Sequence, residues 1–210
     1  MEKIKKILVL SPHTDDAEFS CGASIDRFIK EGKQVHYANF SPCYKSIPKG
    51  FEKDTLKKEM RKAALTLGVS SQHLTEFEYP VRHFPKYRQE ILEDMILLKK
   101  KINPDLVLLP NSFDFHQDHE TIRKEGLRAF KNTCVLGYEF PWNNIETKIN
   151  FIISISQENF NVKMEAIACY NSQSFRKYKD IELFKGLAKV RGIQSNTQLA
   201  EGFELIKWID

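Results

Sequence analysis

The sequence contains no long hydrophobic run and no closely spaced pair of cysteines. Its longest apolar stretches, such as Phe151–Ile155, span only a few residues, whereas a membrane-spanning helix needs about 20. The four cysteines are widely separated and show no C-x-x-C spacing; they are Cys21, Cys43, Cys134 and Cys169. We therefore expect no transmembrane segment, and reduced, partly buried thiols in a cytoplasmic protein.

A strong charge of one sign is also lacking. The chain has 32 Lys and Arg against 28 Asp and Glu, a net charge of +4 over 210 residues. This excess is too small and too evenly spread to indicate nucleic acid binding. Repeats, low-complexity tracts and linkers are absent as well, so the length predicts one domain over residues 1–210.

The first stretch that indicates a functional site is residues 6–22, KILVLSPHTDDAEFSCG. The continuous apolar run at 7–10 is typical of a strand buried on both faces of a parallel sheet. It is shorter than the apolar segment of about seven residues that a signal peptide needs. His13, Asp15 and Asp16 follow it directly, and the carboxyl end of such a strand is where open α/β sheets bind ligands. The stretch therefore predicts a metal or acid–base site.

Further apolar patterns alternate between strand and helix along the chain. They predict strands at 34–40, 74–79, 105–109, 135–140 and 151–155, and a first helix that begins near residues 20–22. We therefore expect an α/β fold, a single Rossmann-like domain with a mostly parallel sheet flanked by helices. No G-x-G-x-x-G follows the first strand, which argues against a dinucleotide-binding oxidoreductase.

A second polar cluster, DFHQDH, follows the predicted strand at 105–109. It supplies Asp114, His116, Asp118 and His119. A parallel sheet can bring two such strand ends together at a topological switch point. Two imidazoles and one carboxylate are a known catalytic zinc set with one open position. The carboxylate and histidine left over could supply a general base and an electrophile or acid.

These motifs resemble those of the LmbE/PIG-L family of N-deacetylases. The stretch SPHTDDAEFSCGASI resembles the family signature, usually A-H-P-D-D-E before a glycine-containing helix start, and DFHQDH resembles the later H-P-D-H. Weaker similarity continues in the same order through EMRKAALTLGV, NPDLVLLP, KMEAIACYNSQ and AEGFELI. The resemblance therefore covers nearly the whole chain.

By this resemblance, His13, Asp16 and His119 would bind Zn²⁺, with another divalent metal such as Fe²⁺ left open. Asp15 would take a proton from the attacking water, and His116 would stabilise the oxyanion and help to protonate the departing amine. Asp118 would orient the His116 ring. The implied reaction is the removal of an acetyl group from an N-acetylated amino sugar, often N-acetylglucosamine carried on a larger group.

Several residues also have simpler interpretations. Asp15 could cap the first helix, Asp118 could cap the helix near His119, and His116 could be a surface loop histidine. For Asp114 we favour a role in forming a turn over one in supporting the side chains that form the site.

The chain departs from the family pattern at three positions. Thr14 and Gln117 replace prolines, and Ala17 replaces the usual glutamate, with Glu18 one place later. A shift of one residue cannot put a side chain in the same place, so we interpret Glu18 as structural.

Substrate recognition is the least specified part of the sequence. Arg82 and Arg88 are the best candidates for substrate binding, because arginine suits a phosphate or carboxylate. Tyr138, Trp142 and Asn143 could form a platform for a sugar or belong to the core. We expect the loops 43–51 and 80–88 to determine specificity.

Three questions stay open at this point. The small-molecule substrate could be a sugar conjugate or a non-sugar N-acyl amine. The protein could instead be a sugar-binding module that has lost catalysis, which the presence of every expected site residue argues against. A homo-oligomer is also compatible with the sequence.

Overall fold

The computed structural model describes residues 1–176 and 179–210. At its centre is strand β1 (Lys6–Ser11), which pairs in parallel with β2 (Gln34–Asn39) on one side and with β4 (Leu106–Pro110) on the other. Alternate side chains of β1 enter two different hydrophobic cores. Ile7 and Val9 belong to one, and Leu8 and Leu10 to the other. Burial on both faces explains why the strand is continuously apolar.

The sheet has seven strands in the order β3-β2-β1-β4-β5-β7-β6. The remaining strands are β3 (Leu74–Glu76), β5 (Cys134–Tyr138), β6 (Phe151–Ile155) and β7 (Leu199–Lys207). The first five in this order are parallel, whereas β7 runs antiparallel to both β5 and β6. The predicted α/β fold with a mostly parallel sheet is therefore confirmed.

The order of the strands creates a switch point between β1 and β4. The chain leaves β1 for β2 and β3 on one side, and then returns to add β4 and β5 on the other. The connections after β1 and β4 therefore diverge, which opens a crevice at their carboxyl ends. The first predicted polar cluster follows β1, and the second follows β4.

In the described residues, six α-helices cover the sheet. They are α1 (Asp16–Lys30), α2 (Thr55–Thr66), α3 (Arg88–Ile102), α4 (Gln117–Ala129), α5 (Gln157–Ala168) and α6 (Ile181–Gln194). In the part of the chain that the structure describes, none of them combines the length and the apolar character needed to cross a membrane. All four cysteines are free and buried.

The start of α1 differs from the prediction. The helix begins at Asp16 rather than near residue 20, and a non-helical residue, Cys21 (φ −134°, ψ 24°), divides it. The predicted start therefore corresponds to the second segment of the helix. The first segment could not be seen in the apolar pattern because it spans only residues 16–20 and includes the polar side chains of Asp16 and Glu18.

A carboxylate from a distant strand stabilises the break in α1. Glu201 of β7 accepts hydrogen bonds from the backbone N–H groups of Ala23 (3.2 Å) and Ser24 (2.7 Å). Lys163 of α5 donates to the same carboxylate at 2.7 Å, and both side chains are only 6% exposed. Glu201 thus acts as an N-terminal cap inside the helix, where the break leaves two amides without intrahelical partners.

We predict that Glu201→Ala lowers the free energy of unfolding by about 3 kcal/mol, because it leaves the Lys163 ammonium buried without a counter-charge. Urea denaturation followed by circular dichroism measures this change. Glu201→Gln keeps an acceptor and should lose less. The control is Asp210→Asn, which breaks an exposed ion pair with Lys3 and should leave the unfolding midpoint unchanged. Equal midpoints for Glu201→Ala and the control would contradict the assigned role.

Candidate active site

The loops after β1 and β4 bring the two polar clusters into one cavity of about 250 Å³. His13 and Asp15 lie in the first loop, and Asp16 begins α1. His116 ends the second loop, and His119 lies in the first turn of α4. All five side chains line the cavity. The adjacent parallel strands β1 and β4 therefore bring the two polar clusters together, as the sequence predicted.

Three atoms in this cavity are arranged as a metal site would require. His13 Nδ1 and His119 Nε2 lie 3.2 Å apart, and Asp16 Oδ2 lies 3.2 Å from the first and 3.1 Å from the second. In a tetrahedral site with bonds of about 2.0–2.1 Å, donor atoms are about 3.3–3.4 Å apart. The three donors thus fit such an ion after a small outward movement.

The histidines are held with the correct ring nitrogens facing inward. His13 Nε2 lies 3.0 Å from Asp118 Oδ2, and His119 Nδ1 lies 2.6 Å from Asp114 Oδ2. An ionised carboxylate only accepts hydrogen bonds, so each takes the N–H of its histidine. In the neutral ring that a metal requires, the lone pair then lies on the other nitrogen, which faces Asp16. Metal-binding histidines commonly have this carboxylate partner.

Asp118 therefore has a different partner from the one we expected. Its carboxylate is fully buried and bonds to His13, not to the His116 ring. The His116 ring is oriented instead by the backbone N–H of Asp118, which donates to His116 Nδ1 at 3.2 Å. That bond makes His116 the N-cap of α4 and leaves the Asp118 side chain directed elsewhere. Asp118 lies close to His116 and His119 in the sequence, and nothing there indicates that its carboxylate contacts His13, 105 residues away.

Asp114 has a larger role than the turn we favoured. Its Oδ1 accepts the backbone N–H of His116 at 2.9 Å, which is a turn contact, while its Oδ2 holds His119. Asp114 is only 4% exposed. One carboxylate thus shapes the loop and orients a histidine.

His116 lies beside the three donors. Its ring centroid is 4.8 Å from those of His13 and His119, and ring nitrogens of all three histidines lie within 4.8 Å of one another. These three histidines are an alternative metal-binding set, but the set that includes Asp16 has the shorter distances. Burial and the nearby His13 and His119 lower the pKa of His116 to about 4. A neutral ring that accepts at Nδ1 carries its proton on Nε2, where it can donate a hydrogen bond.

Asp15 occupies the N-cap position of α1, yet its side chain makes no capping hydrogen bond. Its carboxylate lines the cavity instead. Burial and the neighbouring Asp16 carboxylate raise the pKa of Asp15 to about 6. A carboxylate that titrates near neutral pH is suited to proton transfer.

The pKa values of His13 and His119 are raised above the ordinary value for histidine. Burial on its own would lower the pKa of each, but Asp16 and the carboxylates behind them raise it to about 9 for His13 and about 10 for His119. Burial would raise the pKa of Asp16, but the two histidines hold it well below its usual range.

Glu18 and Ala17 lie away from the chemistry. Ala17 belongs to the core. Glu18 is fully buried and accepts a hydrogen bond from the Tyr37 hydroxyl at 2.9 Å, whereas its Oε1 has no hydrogen-bond partner among the described residues. Burial raises the pKa of Glu18 to about 8. Glu18 is not among the residues that line the cavity, as expected for a structural side chain.

The two arginines predicted to bind substrate are in different places. Arg82 lines the cavity. Arg88 does not, because its guanidinium pairs with Glu125 of α4 at 2.8 Å, a carboxylate that is itself buried. The prediction for Arg88 is therefore wrong, since a buried carboxylate on another helix takes the charge that we assigned to a substrate.

The sequence predicted only some of the other residues that line the cavity. Trp142 and Asn143 line the cavity, whereas Tyr138 is buried and donates to the Leu10 carbonyl. Sequence reasoning missed Gln173 and Arg176, which also line it. The only signal for Gln173 was the weak similarity of the stretch KMEAIACYNSQ, which ends at that residue, and Arg176 lies beyond it.

The chain is similar to known proteins along nearly all of its length. A family model described as GlcNAc-PI de-N-acetylase (PIG-L) matches residues 8–130. The diacetylchitobiose deacetylase of Thermococcus kodakarensis is 24% identical, with 98% of this chain and 85% of that relative covered.

Solved structures share the fold. N,N'-diacetylchitobiose deacetylase from Pyrococcus horikoshii gives a TM-score of 0.80 at 20% identity, covering 97% of this chain and 84% of that one. The 4-carboxy-2-hydroxymuconate hydratase GalB from Pseudomonas putida gives 0.76 at 20% identity, covering 99% and 98%. At such identities the likeness shows the fold alone, and a deacetylase and a hydratase both have it.

We predict that Glu18→Gln makes the stability of the metal-free protein less dependent on pH. Because the folded-state pKa of Glu18 is raised to about 8, its ionisation disfavours the folded state increasingly as pH rises from about 4.5 to 8. Glutamine removes this loss, so the decline in unfolding free energy should be flatter by up to about 1 kcal/mol per pH unit. Thermal melts in chelator from pH 5 to 9 measure it. Exposed Glu2→Gln is the control, and identical pH profiles for both variants would contradict the prediction.

Proposed function

Because this chain belongs to the GlcNAc-PI de-N-acetylase (PIG-L) family, we propose that it is a metal-dependent hydrolase that removes an N-acetyl or other small N-acyl group from an amino sugar or its conjugate. The observation that carries the proposal is the triangle of donors on His13, Asp16 and His119 with Asp15 in the same cavity. The diacetylchitobiose deacetylases similar to this chain support an acetylated amino sugar as the substrate.

The metal in this proposal is Zn²⁺, held by His13, Asp16 and His119. Two imidazoles and one carboxylate at tetrahedral spacing suit zinc, and Fe²⁺ takes the same ligand types. When bound, the ion would supply a Lewis acid for the amide carbonyl and an acidic water. Asp118 and Asp114 hold the two imidazoles, so we assign them positioning roles rather than contact with substrate.

Asp15 and His116 have different roles in the proposed reaction. Asp15 accepts a proton from the attacking water, for which its raised pKa of about 6 is suited. His116 donates a hydrogen bond from Nε2 to the oxygen that becomes negatively charged as the carbonyl is attacked. Its lowered pKa of about 4 favours this donor role over service as an imidazolium acid. The proton that Asp15 accepts is then available to the departing amine.

A panel of N-acyl compounds tests the proposal. The zinc-loaded protein is incubated with N-acetylglucosamine, N,N'-diacetylchitobiose, an N-formyl amino sugar and an N-acetylated aliphatic amine, and free amine is measured. We expect amine from the acetylated sugars and little from the aliphatic amide. Release of free amine from the N-acetylated aliphatic amine alone would indicate that the enzyme acts on non-sugar amides. Sugar binding without any hydrolysis would indicate a binding module.

In the same assay, we predict that Asp15→Asn keeps the metal but loses most of its activity, about 100-fold or more, because the base is removed while all three donors remain. His119→Ala should lose both metal and activity. Zinc content by atomic absorption distinguishes the two outcomes. Arg88→Lys, whose side chain pairs with Glu125 outside the cavity, is the matched control and should behave as the parent. If Asp15→Asn hydrolyses as fast as the parent, the base assignment is wrong.

We also predict that Zn²⁺ binding at pH 7 releases about two protons. In the metal-free protein His13 and His119 have pKa values of about 9 and about 10, so both are protonated at pH 7, whereas a histidine must be neutral to bind a metal. The affinity should therefore rise as pH rises from 6 towards 9. Calorimetry in buffers of different ionisation enthalpy counts the protons. His36→Gln is the control, because burial and nearby His73 lower the pKa of His36 to about 4. Enthalpies that are independent of buffer would contradict the prediction.

A further inference from the structure

The positive charge of the chain is collected at one edge of the fold, which we call the basic edge. It consists of residues 1–6, 99–105, 128–134 and 207–210, which meet at the amino ends of the parallel strands β1, β4 and β5. These segments contain nine Lys and Arg against three Asp and Glu, a net charge of +6, whereas the whole chain carries +4. The rest of the molecule is therefore slightly acidic.

Hydrogen bonds hold the segments of the basic edge together. The Asp105 carboxylate accepts the backbone N–H groups of Lys5 and Lys6, both at 2.8 Å. Lys207 Nζ donates to the carbonyl of Lys131. Neighbouring strands are about 4.8 Å apart, so the edge extends for about 15 Å from β1 across β4 and β5 to β7. Charges that are scattered along the sequence thus form one continuous surface.

An open groove of about 570 Å³ lies in the basic edge, between the carboxyl ends of α3 and α4. Its basic lining residues are Lys99, Lys100, Arg128 and Lys131, and no acidic residue lines it within the part of the chain that the structure describes. The groove therefore presents concentrated positive charge to solvent.

Only part of this charge has a partner in the protein. Lys6 Nζ donates to the Ile102 carbonyl at the end of α3, and Arg128 pairs with Glu125. Cations at such positions stabilise the carboxyl ends of helices. Four exposed ammonium groups form no ion pair or hydrogen bond with any described residue; they are those of Lys5, Lys100, Lys101 and Lys131. Like charges held along one edge repel one another, and an anionic partner would relieve this repulsion.

Apolar side chains lie among these cations. Trp208 and Ile209 follow β7 directly and are 39% and 49% exposed. The Trp208 ring stacks on Phe151 with centroids 5.8 Å apart, which fixes its position at the edge. Exposed tryptophan beside lysine is typical of surfaces that lie at the boundary between a membrane and water. A nucleic acid backbone would match the charge but would leave Ile209 in water.

We propose that the basic edge binds the surface of a membrane that contains anionic lipids. The lysines contact the headgroups, and Trp208 and Ile209 enter the region between headgroups and acyl chains. The protein then lies on the membrane and does not span it. Because the cavity is at the carboxyl ends of β1 and β4 and the basic edge is at their amino ends, the bound protein keeps its cavity open to the aqueous side. Membrane binding is independent of the reaction proposed for the cavity.

Co-sedimentation with vesicles tests this proposal. The protein is mixed with vesicles of pure phosphatidylcholine, or of phosphatidylcholine with about 30% phosphatidylserine, in about 0.1 M NaCl. We expect binding to the anionic vesicles to be at least about 10-fold tighter, and to be lost in about 0.5 M NaCl because salt screens the charges. Equal binding to both kinds of vesicle, or binding to neither, would overturn the proposal.

Charge reversal then locates the binding surface. Lys100→Glu combined with Lys131→Glu should weaken binding to anionic vesicles at least about 25-fold, because each lysine near such a surface contributes about 5-fold. Lys185→Glu combined with Lys189→Glu is the matched control. It makes the same change in net charge at two exposed residues of α6, a helix that contacts the cavity residue Trp142 through Phe184. Equal weakening by both pairs would show that net charge alone attracts the protein, and would overturn the assignment to the basic edge.

Trp208 supplies a readout that charge attraction alone would not change. The chain has two tryptophans, so Trp142→Phe leaves Trp208 as the only one. We expect its emission to shift to shorter wavelength when anionic vesicles are added, and Trp208→Ser to weaken binding several-fold. An emission maximum that does not move on binding would contradict entry of the ring into the headgroup region and overturn the proposal.

A duplex DNA oligonucleotide tests the rival partner. Its affinity is measured by fluorescence anisotropy at the same salt concentration, and we expect vesicles to displace it. Binding to DNA that persists in the presence of anionic vesicles would assign the basic edge to nucleic acid instead of a membrane.

Discussion

The carboxylate of Asp16 lies between two imidazoles that belong to residues 106 positions apart in the chain. Burying three ionisable groups together is costly unless every remaining donor and acceptor has a partner. The protein meets this condition with Asp118 behind His13 and Asp114 behind His119. The loops after β1 and β4 and the first turns of α1 and α4 all contribute groups to this cluster. Much of the fold can be understood as the means of holding it.

The sequence predicts the parts of this arrangement that depend on local pattern. The apolar run of β1, the polar residues at its end and the second cluster after β4 are each visible because burial on both faces of a strand and a following ligand site leave a short, characteristic pattern. The parallel sheet then follows from strand and helix alternation.

What the sequence does not predict depends on direction or on distant partners. The start of α1 is misplaced because Glu201, 178 residues beyond Ala23, stabilises the break. The partner of Asp118 cannot be read from its position, because its carboxylate bonds to His13, 105 residues away, rather than to either of the neighbouring histidines. Arg88 is assigned wrongly because Glu125 lies on another helix. Arg176 enters the cavity from a segment whose local composition resembles any charged loop.

The break in α1 also affects the order in which the site can form. Its cap, Glu201, is on β7, the last strand of the described chain, while Asp16 begins the helix that Glu201 supports. Contacts between residues so far apart in sequence form late, since a long stretch of chain must first be ordered. During synthesis, β1 and α1 leave the ribosome long before β7 exists. The nascent chain therefore lacks the support for its metal-binding helix turn, and the complete donor triangle is a property of the finished fold.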